Sequence, residues 1–315
     1  MSSTRSFLKS ILARVLISLA LLYFLGTTLG GIGLGWIALH PPRHSITANE
    51  ELHAQSAAQE QNGSFQDVAL KTSDGAILRA WYIRPSKSNG NAVVLLHGVS
   101  DNRLGMYGYG RWLLNNHYSV LLPDARGHGL STGLATYGLL EREDVHRWVD
   151  WIEETDHPRC VFGLGESMGA AQLLQSLPTE TRFCAVVVES PFATFREVAY
   201  ARFGREFHTG PWLGKTFFRP TVDVGFLYVR LVHGWDMERA SPADAVASAK
   251  TAVLLIHGLK DRNILPYHAD WIQSRNPDSI VVWKVPGAAH TAAHKTDPQE
   301  FERRVLAWFK NRSPA

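Results

Sequence analysis

Gly165-Glu166-Ser167-Met168-Gly169 is the stretch of this 315-residue chain best suited to covalent chemistry. The run Val161-Phe162-Gly163-Leu164 ahead of it reads as a short buried strand, and Ala170 to Leu177 behind it as a helix. A serine on a strand-to-helix turn is held in a sharp backbone bend, and flanking glycines let neighbouring chains pass where a Cβ would collide. The hydroxyl is thereby pushed out above the sheet edge, where a nucleophile is needed. A serine hydroxyl is nearly all neutral at ordinary pH, so it requires a base within hydrogen-bond reach and an acid that fixes the tautomer of that base. In a parallel sheet such groups lie just past the carboxyl ends of strands. Asp261 follows the apolar run Ala252 to Ile256 by one turn, and His290 follows Ile280 to Val285 in Pro286-Gly287-Ala288-Ala289-His290. Glu189, at the end of Ala185 to Val188, is the other carboxylate to weigh as the acid. The acid must reach the histidine nitrogen that faces away from the serine, so its loop must adjoin the loop carrying His290, and Asp261 meets that condition.

These positions have meaning only on a sheet. Gln66 to Thr72 and Ala76 to Ile83 alternate in hydropathy around Ser73-Asp74-Gly75, which predicts an antiparallel hairpin at the start of the domain. Ala92 to Leu96, Ser119 to Leu122, Val161 to Leu164, Ala185 to Val188, Ala252 to Ile256 and Ile280 to Val285 lack alternation, as do strands buried on both faces of a parallel sheet. Helical patterns separate them. Val145, Trp148, Val149 and Ile152 share one face. Near the end of the chain, Asp297, Pro298 and Glu300 predict a capping box ahead of an inward stripe of Phe301, Val305 and Trp308. Strands alternating with helices imply a doubly wound α/β sheet. Residues 191–250 interrupt the alternation and carry 11 of the 33 aromatic side chains. They read as an inserted cap, with most of its aromatics expected to glue it to the core.

Ahead of the domain, Val15 to Leu39 holds no charge over 25 positions. As a helix it extends for about 37 Å, against a hydrocarbon core of about 30 Å. Arg5, Lys9 and Arg14 precede it, so the positive-inside bias keeps the amino terminus cytoplasmic and sends the rest across the membrane. A cleaved signal peptide is the rival reading. The apolar run exceeds the usual length for one, and no small-x-small site closes it before Pro41-Pro42, which favours an uncleaved anchor. Residues 1–40 are thus expected to form a cytoplasmic stub and transmembrane anchor, 41–64 a polar tether, and 65–315 the catalytic domain. The net charge of +3 is spread without a basic run, which argues against nucleic acid as a partner. Cys160 and Cys184, the only two cysteines, read either as buried thiols or as a disulfide. An oxidising compartment favours the bond and the strain of bridging adjacent strands opposes it.

Other motifs compete for the chemistry. His97 and His257 stand at strand ends, but each is followed by glycine and neither lies in the last strand's loop, which points to structural roles. His290 and His294 have zinc-like i, i+4 spacing, yet no Glu follows the first and its loop bears glycine, so no metal is expected. Gly163-x-Gly165-x-x-x-Gly169 with Glu189 beyond it mimics a dinucleotide fingerprint. The third glycine is misplaced and several strands precede it, so no cofactor is expected either.

The order Ser167, Asp261, His290, together with Leu96-His97-Gly98 and Asp124-Ala125-Arg126-Gly127-His128-Gly129, resembles the α/β-hydrolase fold family in its lipase, esterase and serine aminopeptidase-like branch. The likeness runs from about Phe65 to Phe309. It implies an eight-stranded, mainly parallel sheet with Ser167 as nucleophile, Asp261 as acid and His290 as base. The backbone N–H groups of Val99 and Met168 would form the oxyanion hole. Asp124, Arg126 and His128 would shape a loop. One departure is His97-Gly98-Val99-Ser100 in place of a glycine-rich oxyanion loop. The implied activity is hydrolysis of a carboxylic ester, with a small peptide or amide as the alternative substrate and no cofactor. A non-catalytic binding protein on the same scaffold is the alternative from another class.

Overall fold

Eight strands join in the order β1-β2-β4-β3-β5-β6-β7-β8 in a computed structural model that describes residues 2–206 and 210–313. Along the chain the elements are α1 (Ser2–Leu39), α2 (Ala48–Glu60), β1 (Ser64–Lys71), β2 (Ile77–Arg84), β3 (Asn91–Leu96), α3 (Tyr107–Asn115), β4 (Ser119–Pro123) and α4 (Glu141–Asp156). There follow β5 (Cys160–Glu166), α5 (Met168–Ser176), β6 (Phe183–Glu189), α6 (Phe195–Glu206), α7 (Gly210–Lys215), α8 (Arg219–His233) and α9 (Pro242–Ala245). The chain ends with β7 (Ala252–Gly258), α10 (Tyr267–Arg275), β8 (Ile280–Val285), α11 (Ala293–Thr296) and α12 (Pro298–Lys310). β1 pairs antiparallel with β2 and β2 antiparallel with β4, and every other pairing is parallel. The expected eight strands and doubly wound architecture are therefore present, each within a few residues of the predicted bounds.

The chain divides into two compact units. Residues 39–198 and 237–315 hold the sheet. The central strands are buried on both faces: Ala92, Val94 and Leu96 of β3 join Trp148, Leu173 and Ile272 on one side, while Val93 and Leu95 join Leu113, Phe301 and Phe309 on the other. β8, expected to be buried on both faces, is an edge strand whose middle residues are partly exposed. That two-sided burial is why these strands show no polar alternation in the sequence. In the second unit, residues 1–38 and 199–236, α1 lies along α8. There Phe203 and Phe217 both pack on Phe218, and Phe217 also packs on Tyr23 of α1. These cap aromatics, expected to bind the insertion to the core, thus pack within the unit that contains α1.

Three local expectations are refined. The segment read as a tether contains α2, started by a capping box between Thr47 and Glu50. Ala54, Ala57 and Ala58 are buried on it, a narrow alanine face too weakly apolar to register as a stripe. Asp297 caps α12 by accepting from the Glu300 N–H, but the Glu300 carboxylate turns to Arg303 and Arg304 instead of closing the box. The innermost third member of its stripe is Phe309, while Trp308 is half-buried and donates its indole N–H to the Val186 carbonyl. Cys160 and Cys184 are joined by a disulfide with a Cα separation of 5.8 Å. Cys184 falls where the β5–β6 register slips between Val161 and Phe162, and this bulge lets adjacent strands accommodate the bridge.

Candidate active site

Ser167 stands between β5 and α5 with φ at +50°, a left-handed conformation that is costly for a residue bearing a Cβ. What holds it there is close backbone packing. A Cβ on Gly169 would come within 2.3 Å of the Leu96 carbonyl oxygen, and one on Gly165 within 2.8 Å of the Ala170 nitrogen. The Ser167 N–H is fixed by the Glu189 carbonyl at 2.8 Å. The two glycines flanking the elbow are thus required by close approach, as the sequence implied.

The loops after β7 and β8 bring the other two residues to the serine. Ser167 Oγ lies 2.9 Å from His290 Nε2, and His290 Nδ1 lies 2.7 Å from Asp261 Oδ2. An ionised carboxylate can only accept, so Nδ1 carries the proton and Nε2 is left free to accept from the serine hydroxyl. Asp261 is itself oriented: its Oδ1 accepts from the N–H groups of Asn263 and Ile264 at 2.8 and 2.9 Å. Burial pushes the Asp261 carboxyl up, but hydrogen bonds from His257 and His290 outweigh it and hold the group well below the usual carboxylate range. It stays ionised at neutral pH. The arrangement can pass a proton from serine to histidine and stabilise the resulting imidazolium.

His257 has more to do than its position suggested. Its Nε2–H donates to the Ile264 carbonyl at 2.8 Å and lies 3.4 Å from Asp261 Oδ2, so it braces the loop that carries Asp261. His97 is fully buried; its Nδ1–H donates to the Gly98 carbonyl at 2.7 Å, and its Nε2 accepts from the Ala125 N–H at 3.0 Å. In a trans peptide the carbonyl and the following N–H point in opposite directions. Tethering the Gly98 oxygen therefore turns the Val99 N–H the other way. Gly98 itself is beside Ser167, since a Cβ there would be 3.6 Å from the Ser167 Cβ. Met168 opens α5, and its N–H is one of the first four that a helix leaves without an internal acceptor.

The remaining motif residues are structural. Asp124 accepts from the Arg103 and Leu130 N–H groups and from the Arg103 guanidinium, while Arg126 makes a two-point contact with Asp144. His128 donates to the Arg126 carbonyl, and burial pushes its imidazole down to about 4. His294 reaches Glu302 at 3.0 Å and stacks among Tyr109 and Phe301.

The pairing of two carboxyls behind the elbow, Glu166 and Glu189, escaped the sequence reading. Glu166 and Glu189 are register partners on β5 and β6. Tyr109, from α3, donates its hydroxyl to Glu166 Oε1 at 2.7 Å, and Glu189 Oε1 accepts from the Ala293 N–H at 2.8 Å. Burial, then the neighbouring Glu166 carboxylate, pushes Glu189 up to about 8; burial also lifts Glu166 to about 7. Neither the spacing nor the type of Tyr109 marks it in the sequence. The folded chain keeps these protons at pH values where the unfolded chain has lost them. Their contribution is therefore complete below the ordinary carboxylate range and is lost as pH rises through about 8. Thermal unfolding of Glu189→Gln should accordingly show a shallower loss of stability between pH 5 and 9, the difference reaching roughly 2–4 kcal/mol at the alkaline end. An unchanged slope would refute the protonated state assigned to Glu189.

Similarity to known proteins agrees with this architecture. Residues 93–304 match the model of the alpha/beta hydrolase family. The uncharacterized protein YqkD of Bacillus subtilis is 24% identical over 244 residues, covering 75% of this chain and 76% of its own. Among solved structures, the Pyrococcus furiosus esterase Pf2001 superposes with a TM-score of 0.68 at 24% identity, over 88% of this chain and 98% of the esterase. A bacterial membrane phospholipase A matches 99% of this chain and 100% of its own with a TM-score of 0.59 at 12% identity. With the family match spanning β3 to α12, over two thirds of its length, the chain belongs to the α/β-hydrolase family.

Proposed function

We propose that the protein is a serine hydrolase that cleaves a carboxylic ester through an acyl-enzyme. The observation that carries this reading is the unbroken hydrogen-bonded line from Ser167 through His290 to Asp261. In the reading, the Ser167 oxygen attacks the ester carbonyl carbon while His290 Nε2 takes the hydroxyl proton. The carbonyl oxygen becomes an oxyanion held by the Val99 and Met168 N–H groups, a contact that strengthens as charge develops. The intermediate collapses, the C–O bond to the alcohol breaks, and His290 returns the proton to the leaving oxygen. Water then attacks the acyl carbon as His290 Nε2 takes its proton, the bond to Ser167 Oγ breaks, His290 returns the proton to Oγ, and the carboxylic acid product leaves. No cofactor takes part in any step.

The ester is favoured over the amide by the esterase among the structural neighbours. The domain is proposed to be held at a membrane by α1, whose residues Ser6–Leu39 have a mean hydropathy of 2.0 in their most apolar window. Arg5, Lys9 and Arg14, by the positive-inside bias, support an orientation with the amino terminus in the cytoplasm and the catalytic domain outside it. The Cys160–Cys184 disulfide suits that oxidising side.

A panel of p-nitrophenyl esters of rising chain length, assayed beside aminoacyl anilides, tests the substrate class. Turnover of esters at least roughly tenfold above every anilide, a gap of about 1.4 kcal/mol, is the expected result. Preference for the anilides would replace the esterase reading with a serine aminopeptidase or amidase. Silence on both panels, with no labelling by an organophosphonate, would leave a binding protein on a hydrolase scaffold.

A further inference from the structure

The helix pair α1–α8 is held together by glycines. A Cβ on Gly31 would come within 2.6 Å of the Thr221 carbonyl and the Val224 side chain, and one on Gly35 within 2.8 Å of the Gly225 carbonyl. A Cβ on Gly225 would meet the Gly31 carbonyl at 3.0 Å in return. The two helices run parallel, because Tyr23 meets Phe217 just ahead of α8, Gly31 meets Thr221 and Val224, and Gly35 meets Gly225 and Tyr228. At the amino-terminal end of this contact the Tyr23 hydroxyl donates to the Phe217 carbonyl at 2.6 Å, with the two rings 4.9 Å apart.

Outward from that contact large apolar side chains stand exposed among the charged groups Lys215, Arg219 and Arg230. Trp212 is 71% exposed and Phe217 is 52% exposed, and Leu227, Leu231 and Val232 are exposed farther along α8. On a soluble surface so many large apolar groups in one unit are unusual. The packing of α8 and the turn ahead of it against α1 explains them. The apolar stretch Ser6–Leu39 is 34 residues long, whereas a bilayer core takes about 20 residues of helix. Whichever run of about 20 residues within Ser6–Leu39 fills the core, Tyr23 is inside it. Phe217, in contact with Tyr23, must then be at lipid depth too.

We propose that the α7–α8 segment of the cap insertion is a membrane-inserted element, with Trp212 and Phe217 in contact with the lipid of a phospholipid bilayer. The inference rests on the reading of α1 as a membrane anchor. Charge on the segment is compatible with this placement. Arg219 pairs with Asp223 at 3.4 Å, and Asp223 also accepts from the Tyr200 hydroxyl, so the acid is neutralised within the unit. The long stems of Lys215 and Arg219 can carry their charges toward the headgroups. Trp212 is of a type that gathers at membrane interfaces.

The experiment uses the full-length chain in phosphatidylcholine–phosphatidylglycerol vesicles, with a nitrobenzoxadiazole dye attached through Phe24→Cys, Trp212→Cys, Phe217→Cys or Glu154→Cys, one at a time. Phe24, Trp212 and Glu154 are surface side chains, and Phe217→Cys removes a half-exposed ring while keeping the backbone carbonyl that accepts from Tyr23. Lipids spin-labelled on the acyl chain and aqueous iodide serve as opposing quenchers. Expected is lipid quenching at 24, 212 and 217 alike, with iodide quenching alone at 154. Lipid quenching at 24 with only iodide quenching at 212 and 217 would overturn the insertion and leave the anchor standing. Iodide quenching at all four would overturn the anchor, and the insertion with it.

Discussion

Replacing Ser167 with alanine is expected to lower ester turnover by at least roughly 10⁴-fold while leaving the fold intact. Alanine keeps the Cβ that the elbow already tolerates and removes only the oxygen proposed to attack. The backbone restraints at this position come from the glycines and from the Glu189 carbonyl, none of which the substitution touches. His290→Ala should cost about as much, because without Nε2 the hydroxyl has no acceptor for its proton. The two residues act as one unit, so the double variant should fall little below either single one. Burst labelling by an organophosphonate, followed by mass, reads the same event separately from turnover and should vanish in Ser167→Ala. Hydrolysis within tenfold of the parent in that variant, with its circular dichroism unchanged, would remove Ser167 from the proposed role.

The architecture was legible because parallel strands buried on both faces write a distinctive pattern. Val93 and Val94 face opposite sides of β3 and are both buried, so the run has no alternation, and the same holds through β8's neighbours. The elbow was legible for a different reason: its glycines are demanded by backbone contacts under 3 Å, which leave few residues able to stand there. The serine, acid and histidine could then be placed by strand order alone. What stayed hidden depends on contacts between segments distant in sequence. The alanine face of α2 carries too little apolar area to stand out from a polar stretch. Tyr109 is one of many tyrosines until the fold sets it against Glu166, 57 residues away. The bracing by His257 was underestimated because its partner, the Ile264 carbonyl, is a backbone atom that no spacing rule reveals. The partnership of α1 with the cap was out of reach for the same reason: Gly31 and Gly225 are nearly two hundred positions apart, and glycine is in any case frequent in membrane helices.

The choice of acid separates two carboxyls whose surroundings push them in opposite directions. Asp261 is held ionised by hydrogen bonds from His257 and His290, and its Oδ2 is 2.7 Å from His290 Nδ1. Glu189 is lifted to about 8 by burial and by Glu166, so near neutral pH it is mostly protonated, and it accepts from the Ala293 N–H in place of the imidazole. Asp261→Asn is nearly the same size but replaces an acceptor by a group that can donate toward Nδ1. That favours the tautomer with its proton on Nε2, where it meets the serine hydroxyl as a second donor. Turnover should therefore fall by roughly 10³ to 10⁴, and organophosphonate labelling of Ser167 should slow in step. Glu189→Gln replaces a mostly protonated acid by a neutral amide of the same shape that still offers a carbonyl to Ala293. Its turnover at neutral pH should stay within about tenfold of the parent, a change of less than about 1.4 kcal/mol in the barrier. Both variants are to be measured on one ester at one pH, with thermal midpoints recorded so that a loss of fold is not mistaken for a loss of chemistry. Near-normal turnover in Asp261→Asn beside a collapse in Glu189→Gln would reverse the assignment, because only a carboxylate that stabilises the imidazolium is sensitive to losing its charge.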